Sequence, residues 1–434
     1  MKIINNPANS IWPELVKRPS KNPLELRVLV KRIFSDIKKK GDLAVYNYNK
    51  KFDRCDRKEF KISSQELEKA TDLLPDNLKK AIELARDNIS KFHAAQKENP
   101  LEIETTTGVV CWRESRPIEK VGIYIPSGSA PLFSTILMLG IPAKLAGCTD
   151  IILCTPPDEN GKINPAILFT ANLVGISTVF AVGGIQAIGA LTFGTETIPK
   201  VDKIFGPGNQ YVTAAKQMAQ LHGRAIDMPA GPSEVLIIAD SNCVPAFVAA
   251  DLLSQAEHGA DSQVVLLSTE VTVLQKIITE LNLQIQKLPR KDVATKAIEN
   301  SVAIHFENLE DCMNFSNLYA PEHLILAVKE ARTLSQKVKS AGSVFLGNYS
   351  CESAGDYASG TNHTLPTNGF ASSYSGVSLD SFVKKITFQE ISETGIQNLG
   401  PSIELMAEAE QLFAHKQAVT VRLEQLKNQN PNTI

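Results

Sequence analysis

Apolar residues between Lys21 and Phe92 return at helical spacing among many charges, as at Val28, Val30, Ile33, Phe34 and Ile37. The spacing predicts amphipathic helices, with a second one over about Pro75 to Ala95. Ile103 to Glu114 reads as extended chain running into the charged stretch Arg113–Pro117. From Val121 the pattern changes. The runs VGIYIP (121–126), IILCTPP (151–157), TVFAVGG (178–184) and KIFGPG (203–208) predict strands. Helices are expected over 134–145 and 165–173, near Gln186 and from Asn209. The alternation restarts with EVLIIAD (234–240), a helix over 244–258, QVVLLS (263–268) and a helix from about Val271. SVAIHF, HLILAV and GSVFLG follow as short strands.

Apolar strands alternating with helices imply parallel sheets covered on both faces. The predicted fold class is therefore α/β, with two doubly wound sheets and small helical extensions at the ends. The second sheet is expected to share its domain with the N-terminal helices. Beyond 375 the pattern predicts irregular chain to about Pro401, then one long amphipathic helix to Leu426. Such a tail is too thin to bury a core of its own and should pack on another domain or subunit.

Composition narrows the function classes. A chain of 434 residues exceeds what one simple core holds, so two or three units are expected. A formal net charge of −2 predicts neither nucleic acid nor an acidic membrane surface as partner. No apolar run approaches the ~20 residues that a membrane helix needs. The start, MKIINNPANSIWPELVKR, lacks the apolar core of a secretory signal, and a cytoplasmic location is expected. The seven cysteines (Cys55, Cys111, Cys148, Cys154, Cys243, Cys312, Cys351) include no CxxC pair. They read as small hydrophobes kept reduced, so a metal site would use nitrogen and oxygen ligands.

In open α/β sheets ligands sit beyond the carboxyl ends of strands. Glycine turns follow three such ends: Ser127-Gly128, Gly183-Gly184 and Gly206-Pro207-Gly208. None is GxGxxG, so they read either as ordinary turns or as approaches to a cofactor. Tyr124, Gln186 and Asn209 stand at these turns as neutral hydrogen-bonding groups. Gln255 and His258, at a helix end before Gly259, either reach one metal ion or simply finish the helix. Glu322 and His323, at the start of an apolar strand, read as a general acid/base pair or as a solvated strand cap. In ESAGDYASGTNH (352–363), Asp356 lies among small residues suited to close ligand approach or to a surface connection. Glu410 and His415 stand five apart on the expected final helix, ~140° around its axis, a spacing that favours a solvated face.

Taken together, VGIYIPSG, GPGNQYV, DMPAGPSEVLIIAD, SQAEHGADSQ, YAPEHL, ESAGDYASGTNHTLPT and AEAEQLFAHKQAV resemble the histidinol dehydrogenase family. The resemblance runs in order from about Lys21 to the C-terminal helix. It implies oxidation of L-histidinol to L-histidine through a bound aldehyde, using two NAD, as the last steps of histidine biosynthesis. One Zn2+ per subunit would be held by Gln255, His258, Asp356 and His415 and would orient the substrate. Ser233, Glu322, His323 and Glu410 would complete the substrate contacts, and Tyr124, Gln186 and Asn209 would bind NAD. His323 would be the base, and Glu322 would activate water for the aldehyde step.

The resemblance also implies an intertwined homodimer with shared active sites. Residues 1–20 would be a dimerisation arm. Residues 21–120 plus 231–374 would form one Rossmann-like domain, and 121–230 the second, NAD-binding one. Residues 375–434 would be a tail swapped onto the partner, taking Glu410 and His415 with it. Ser127 departs from the family's Pro-Gly-Gly, which puts a small part of the NAD affinity in doubt. Two other readings fit part of the pattern. An NAD- and zinc-dependent dehydrogenase of another amino alcohol or polyol should differ at Glu322, His323, Glu410 and His415. A zinc hydrolase leaves Tyr124, Gln186 and Asn209 without a role.

Overall fold

The computed structural model describes residues 1–18, 23–127, 130–229 and 231–429. Its strands in chain order are β1 (Lys2–Asn5), β2 (Leu101–Thr106), β3 (Val109–Pro117), β4 (Lys120–Tyr124), β5 (Asp150–Thr155), β6 (Thr178–Ala181) and β7 (Lys203–Phe205). They continue with β8 (Ala225–Ile226), β9 (Glu234–Ala239), β10 (Gln263–Ser268), β11 (Val302–His305), β12 (His323–Ala327), β13 (Ser343–Leu346) and β14 (Val383–Ile391). The helices that matter to the site are α1 (Pro23–Tyr48), α2 (Asp76–Ala94), α3 (Phe133–Ala146), α4 (Gly184–Phe193) and α5 (Gln210–Leu221). After them come α6 (Pro245–Ala256), α7 (Glu352–Tyr357), α8 (Glu393–Ala409) and α9 (Phe413–Gln429).

Two parallel sheets build the first compact unit, Met1–Gln96 with Ile118–Phe382. One has the order β6-β5-β4-β7-β8 and the other β1-β11-β10-β9-β12-β13. The parallel pairing follows from composition. β9 (EVLIIA) and β10 (QVVLLS) are buried at every position, so both faces of their sheet must be covered. In the five-stranded sheet the chain steps outward from β4 through β5 to β6, and on the other side from β7 to β8. That reversal opens a crevice between β4 and β7 at their carboxyl ends.

The sheet order also explains the N-terminal helices. α4 (GIQAIGALTF) and most of α3 are buried on all sides, and a helix without a polar face needs a second covering layer. α1 packs Val30, Ile33, Phe34 and Ile37 with Ile185, Ile188 and Ile204. α2 packs Ile82 and Ile89 with Leu137 and Ile141. These helices therefore cover the sheet of 121–230, not the sheet of 231–374 with which the sequence pattern grouped them. Val28, read as part of the apolar stripe, is 70% exposed. Within residues 1–20, expected as a dimerisation arm, the strand Lys2–Asn5 extends the six-stranded sheet of its own chain. β1 pairs with β11, and Trp12 is buried edge-on against Phe306 and Phe315.

The second unit comprises Lys97–Pro117 and Val383–Ile434. It corrects the reading of the tail. Arg113–Pro117 is part of β3, which pairs antiparallel with both β2 and β14, with Trp112 stacked on Phe388. The stretch up to Pro401 is not irregular but holds β14 and the first half of α8. The expected single helix is two, broken where Gln411 adopts a left-handed φ of 59°. α8 and α9 pack as a hairpin, Gly400 lying close to Val419 and Leu423. The tail gains a sheet because 97–117 joins it, a non-local pairing.

Candidate functional site

The acid/base candidates lie at the amino edge of the six-stranded sheet, not at its carboxyl edge. His323 is the first residue of β12, level with Val235 of β9 and Ser343 of β13. Crossover helices return to that edge, so α6 ends beside it. Gln255 lies in the last turn of α6, and His258 follows directly after its C-cap, Glu257.

Glu322 and His323 are almost wholly buried, which discards the solvated-cap reading. The backbone of Glu234 holds them both. Its N–H donates to Glu322 Oε2 at 2.9 Å, and its carbonyl lies 3.2 Å from His323 Nδ1. A carbonyl only accepts, so this contact assigns a hydrogen to Nδ1 and makes Nε2 the nitrogen that gains and loses a proton. Gln255 Nε2 also approaches Nδ1, at 3.3 Å, a longer contact that a protonated Nδ1 does not bond. His323 Nε2 has no hydrogen-bond partner and stands 3.5 Å from Asp356 Oδ1.

Charge in the cluster is finely balanced. Burial pushes Glu322 up to about 8, against the pull of His323 and the Glu234 N–H. Burial works against a charged His323 ring, but the carboxylates of Glu322, Asp356 and Glu352 outweigh it and raise the imidazole to about 10. Burial also acts upward on Asp356, yet its contact with His323 holds it below the usual carboxylate range.

Three atoms here await a partner, the two oxygens fitting a cation and the ring nitrogen a substrate hydroxyl. Gln255 Oε1, Asp356 Oδ1 and His323 Nε2 are buried without a hydrogen-bond partner, and such orphans mark a place for a bound ion or donor. His258 pairs its Nδ1 with Ser233 Oγ at 3.0 Å, which leaves Nε2 open. The carbonyl end of α6 favours positive charge. Oxygen and imidazole donors of this kind suit Zn2+.

Ser233, Gln255, His258, Glu322, His323 and Asp356 are thus gathered around one amino edge. Glu410 and His415 belong to the second unit, both exposed, Glu410 as the C-cap of α8 and His415 in the first turn of α9. They do not share a helix, so the 140° spacing argument falls away. Glu352 escaped the sequence reading. It is buried one turn before Asp356 on α7, is lifted by burial, and accepts from Ser254 Oγ at 2.6 Å. His323, Glu352 and Asp356 each offer a ligand atom within 4.8 Å of the others. The i, i+4 spacing in ESAGD was the available signal.

The second candidate region is the β4–β7 crevice. Tyr124 ends β4, and its Oη accepts the Gly184 N–H at 3.2 Å. Gln186, buried in the first turn of α4, donates from Nε2 to Asn49 Oδ1 at 3.2 Å and to Asp53 Oδ2 at 2.9 Å. Its Oε1 is left without a partner. Asn209 caps α5, its Oδ1 accepting from the N–H groups of Tyr211 and Val212. Asn49 and Asp53 also escaped the sequence reading, since they come from a π-helical turn that has no apolar period. Burial raises Asp53 to about 6. Gly128, of the Ser127-Gly128 turn, lies outside the described residues.

A buried imidazole flanked by carboxylates and open ligand atoms, with a polar crevice at a neighbouring parallel sheet, defines an α/β enzyme built for acid–base chemistry. The histidinol dehydrogenase family model matches residues 16–423. A histidinol dehydrogenase of Bacteroides thetaiotaomicron is 54% identical over 98% of this chain and 100% of its own length. One from Escherichia coli is 50% identical over 96% of each chain. The crystal structure of histidinol dehydrogenase from Elizabethkingia anophelis superposes with a TM-score of 0.97 at 63% identity, covering 98% of this chain and 99% of that one. The chain belongs to the histidinol dehydrogenase family and is an oxidoreductase.

Proposed function

We propose that the protein oxidises L-histidinol to L-histidine in two successive two-electron steps at the His323 site. The observation that carries this reading is the set of orphaned atoms Gln255 Oε1, Asp356 Oδ1 and His323 Nε2 beside the buried Glu322. Gln255, His258, Asp356 and His415 would hold one Zn2+, whose contribution when bound is to orient the imidazole and amino nitrogens of the substrate. Tyr124, Gln186 and Asn209 would bind NAD, the hydride acceptor, at the β4–β7 crevice of a Rossmann-like sheet.

His323 Nε2 takes the alcohol proton in the first step. The Glu234 carbonyl steadies the resulting imidazolium at Nδ1, and Glu322 Oε2 lies 3.7 Å from the same nitrogen. In the second step Glu322 draws a proton from the water that adds to the aldehyde while the His323 imidazolium returns its proton to the aldehyde oxygen. His323, neutral again, then removes a hydroxyl proton of the hydrate as hydride departs to a second NAD. Burial of the pair keeps bulk water away and the aldehyde held between steps. Both sheets are read as Rossmann-like domains of an intertwined homodimer in the cytoplasm, the seven free cysteines being in keeping with a reducing compartment. Glu410 and His415 would complete the partner's site.

The test is NADH formed per histidinol consumed, with and without a chelator. Two NADH per histidine, lost on chelation and restored by Zn2+, is the expected result. No NADH from histidinol would sink the reading. For the shared site, an inactive His415→Ala chain mixed with an inactive His323→Ala chain should regain part of the activity. Mixed dimers that form and stay inactive would assign the tail to its own subunit.

A further inference from the structure

The glycine after β7 is gripped at both of its backbone polar groups. Asp227 Oδ2 accepts the Gly206 N–H at 2.8 Å, and Lys216 Nζ donates to the Gly206 carbonyl at 2.8 Å. Lys216 and Asp227 are ion-paired with each other, their side chains 4% and 1% exposed. Lys216 comes from α5, and Asp227 follows β8 with its Oδ1 also accepting the Met228 N–H at 2.7 Å. Gly206 has φ of +127°, and a Cβ there would lie 2.1 Å from the Tyr124 carbonyl. The chain thus touches the end of β4 where β4 and β7 part, and the next residues lead through Pro207 and Gly208 to Asn209.

Stability alone is a weak account of this pair. Removing two charges from water costs about as much as their attraction returns, and apolar residues of similar size often serve a core as well. Both charges here converge on the backbone of Gly206, and that effect is geometric. They fix the height of the Gly206 turn against Tyr124 and the direction from which Asn209 enters α5.

We propose that Lys216 and Asp227 are positioning residues for the dinucleotide. They hold the floor of the β4–β7 crevice so that Tyr124 and Asn209 face NAD at a fixed separation. The inference rests on the NAD crevice proposed above and adds the residues that shape it. Its test uses full-length Lys216→Met and Asp227→Asn enzymes, with NADH affinity from fluorescence titration and KM for NAD and for histidinol measured separately. NADH Kd and NAD KM should each rise about tenfold, the order expected from losing one charge-assisted hydrogen bond, with histidinol KM within about twofold. Lys216→Arg, which keeps the charge and the donors, should recover part of the NADH affinity. A folded variant with unchanged NADH affinity would overturn the proposal, as would NAD and histidinol constants that worsen together. Failure of all three variants to fold would show a structural pair and overturn it too. A wild-type enzyme that does not bind NADH would instead overturn the cofactor reading, a failure seen before any variant is made.

Discussion

His323→Asn is expected to slow histidinol oxidation on the order of 10^3-fold, the usual worth of a well-placed general base. Asparagine is a fair structural substitute. Its amide can still donate toward the Glu234 carbonyl that lies 3.2 Å from His323 Nδ1, so the Glu234 backbone keeps a partner. What asparagine lacks is a basic nitrogen in the position of Nε2, the ring atom beside Asp356. Asp356 and Gln255 are untouched, so zinc content should be retained. The measurement is stopped-flow NADH formation from histidinol, with metal content and melting temperature as controls. A folded, zinc-loaded variant within about tenfold of the wild-type rate would remove His323 from the role of base.

Between 121 and 346 the fold was legible because its strands are apolar throughout and separated by helix-length crossovers, which leaves a parallel sheet as the natural solution. The tail was not legible for a complementary reason. β14 (VKKITFQEI) spaces its apolar residues irregularly, without the strict alternation of a half-buried strand, and it is stabilised by β3, far away in sequence. Nor does any glycine mark the break at Gln411, where an ordinary side chain takes the left-handed conformation. At the site, Glu322, His323, Gln255 and Asp356 were visible because their chemistry is carried by side chains in recognisable runs. The Glu234 backbone contacts were not, since a peptide N–H and carbonyl leave no mark on residue identity. Lys216 and Asp227 were hidden for a third reason. They lie 10 and 21 residues from Gly206 and meet it only because α5 and β8 fold back beside β7.

Glu322→Gln should divide the two oxidations. Glutamine keeps the size of the side chain, and its Oε1 can still accept the Glu234 N–H that Glu322 Oε2 accepts at 2.9 Å. It has no basic oxygen, so water addition to the aldehyde loses its proton acceptor, and the second step should fall by about 10^2- to 10^3-fold. The first step depends on Glu322 only through the negative charge that favours a protonated His323, and should fall less than about tenfold. Single-turnover experiments with NAD in excess would then show one NADH formed quickly and the second slowly, with aldehyde accumulating between them. The pH profile gives an independent check. Burial lifts Glu322 to about 8, so its basic form gains as pH rises through that range. Aldehyde oxidation by the wild type should climb correspondingly and then level off, and the climb should vanish in the variant. Equal losses in both steps, with the pH profile intact, would place the water chemistry on another group.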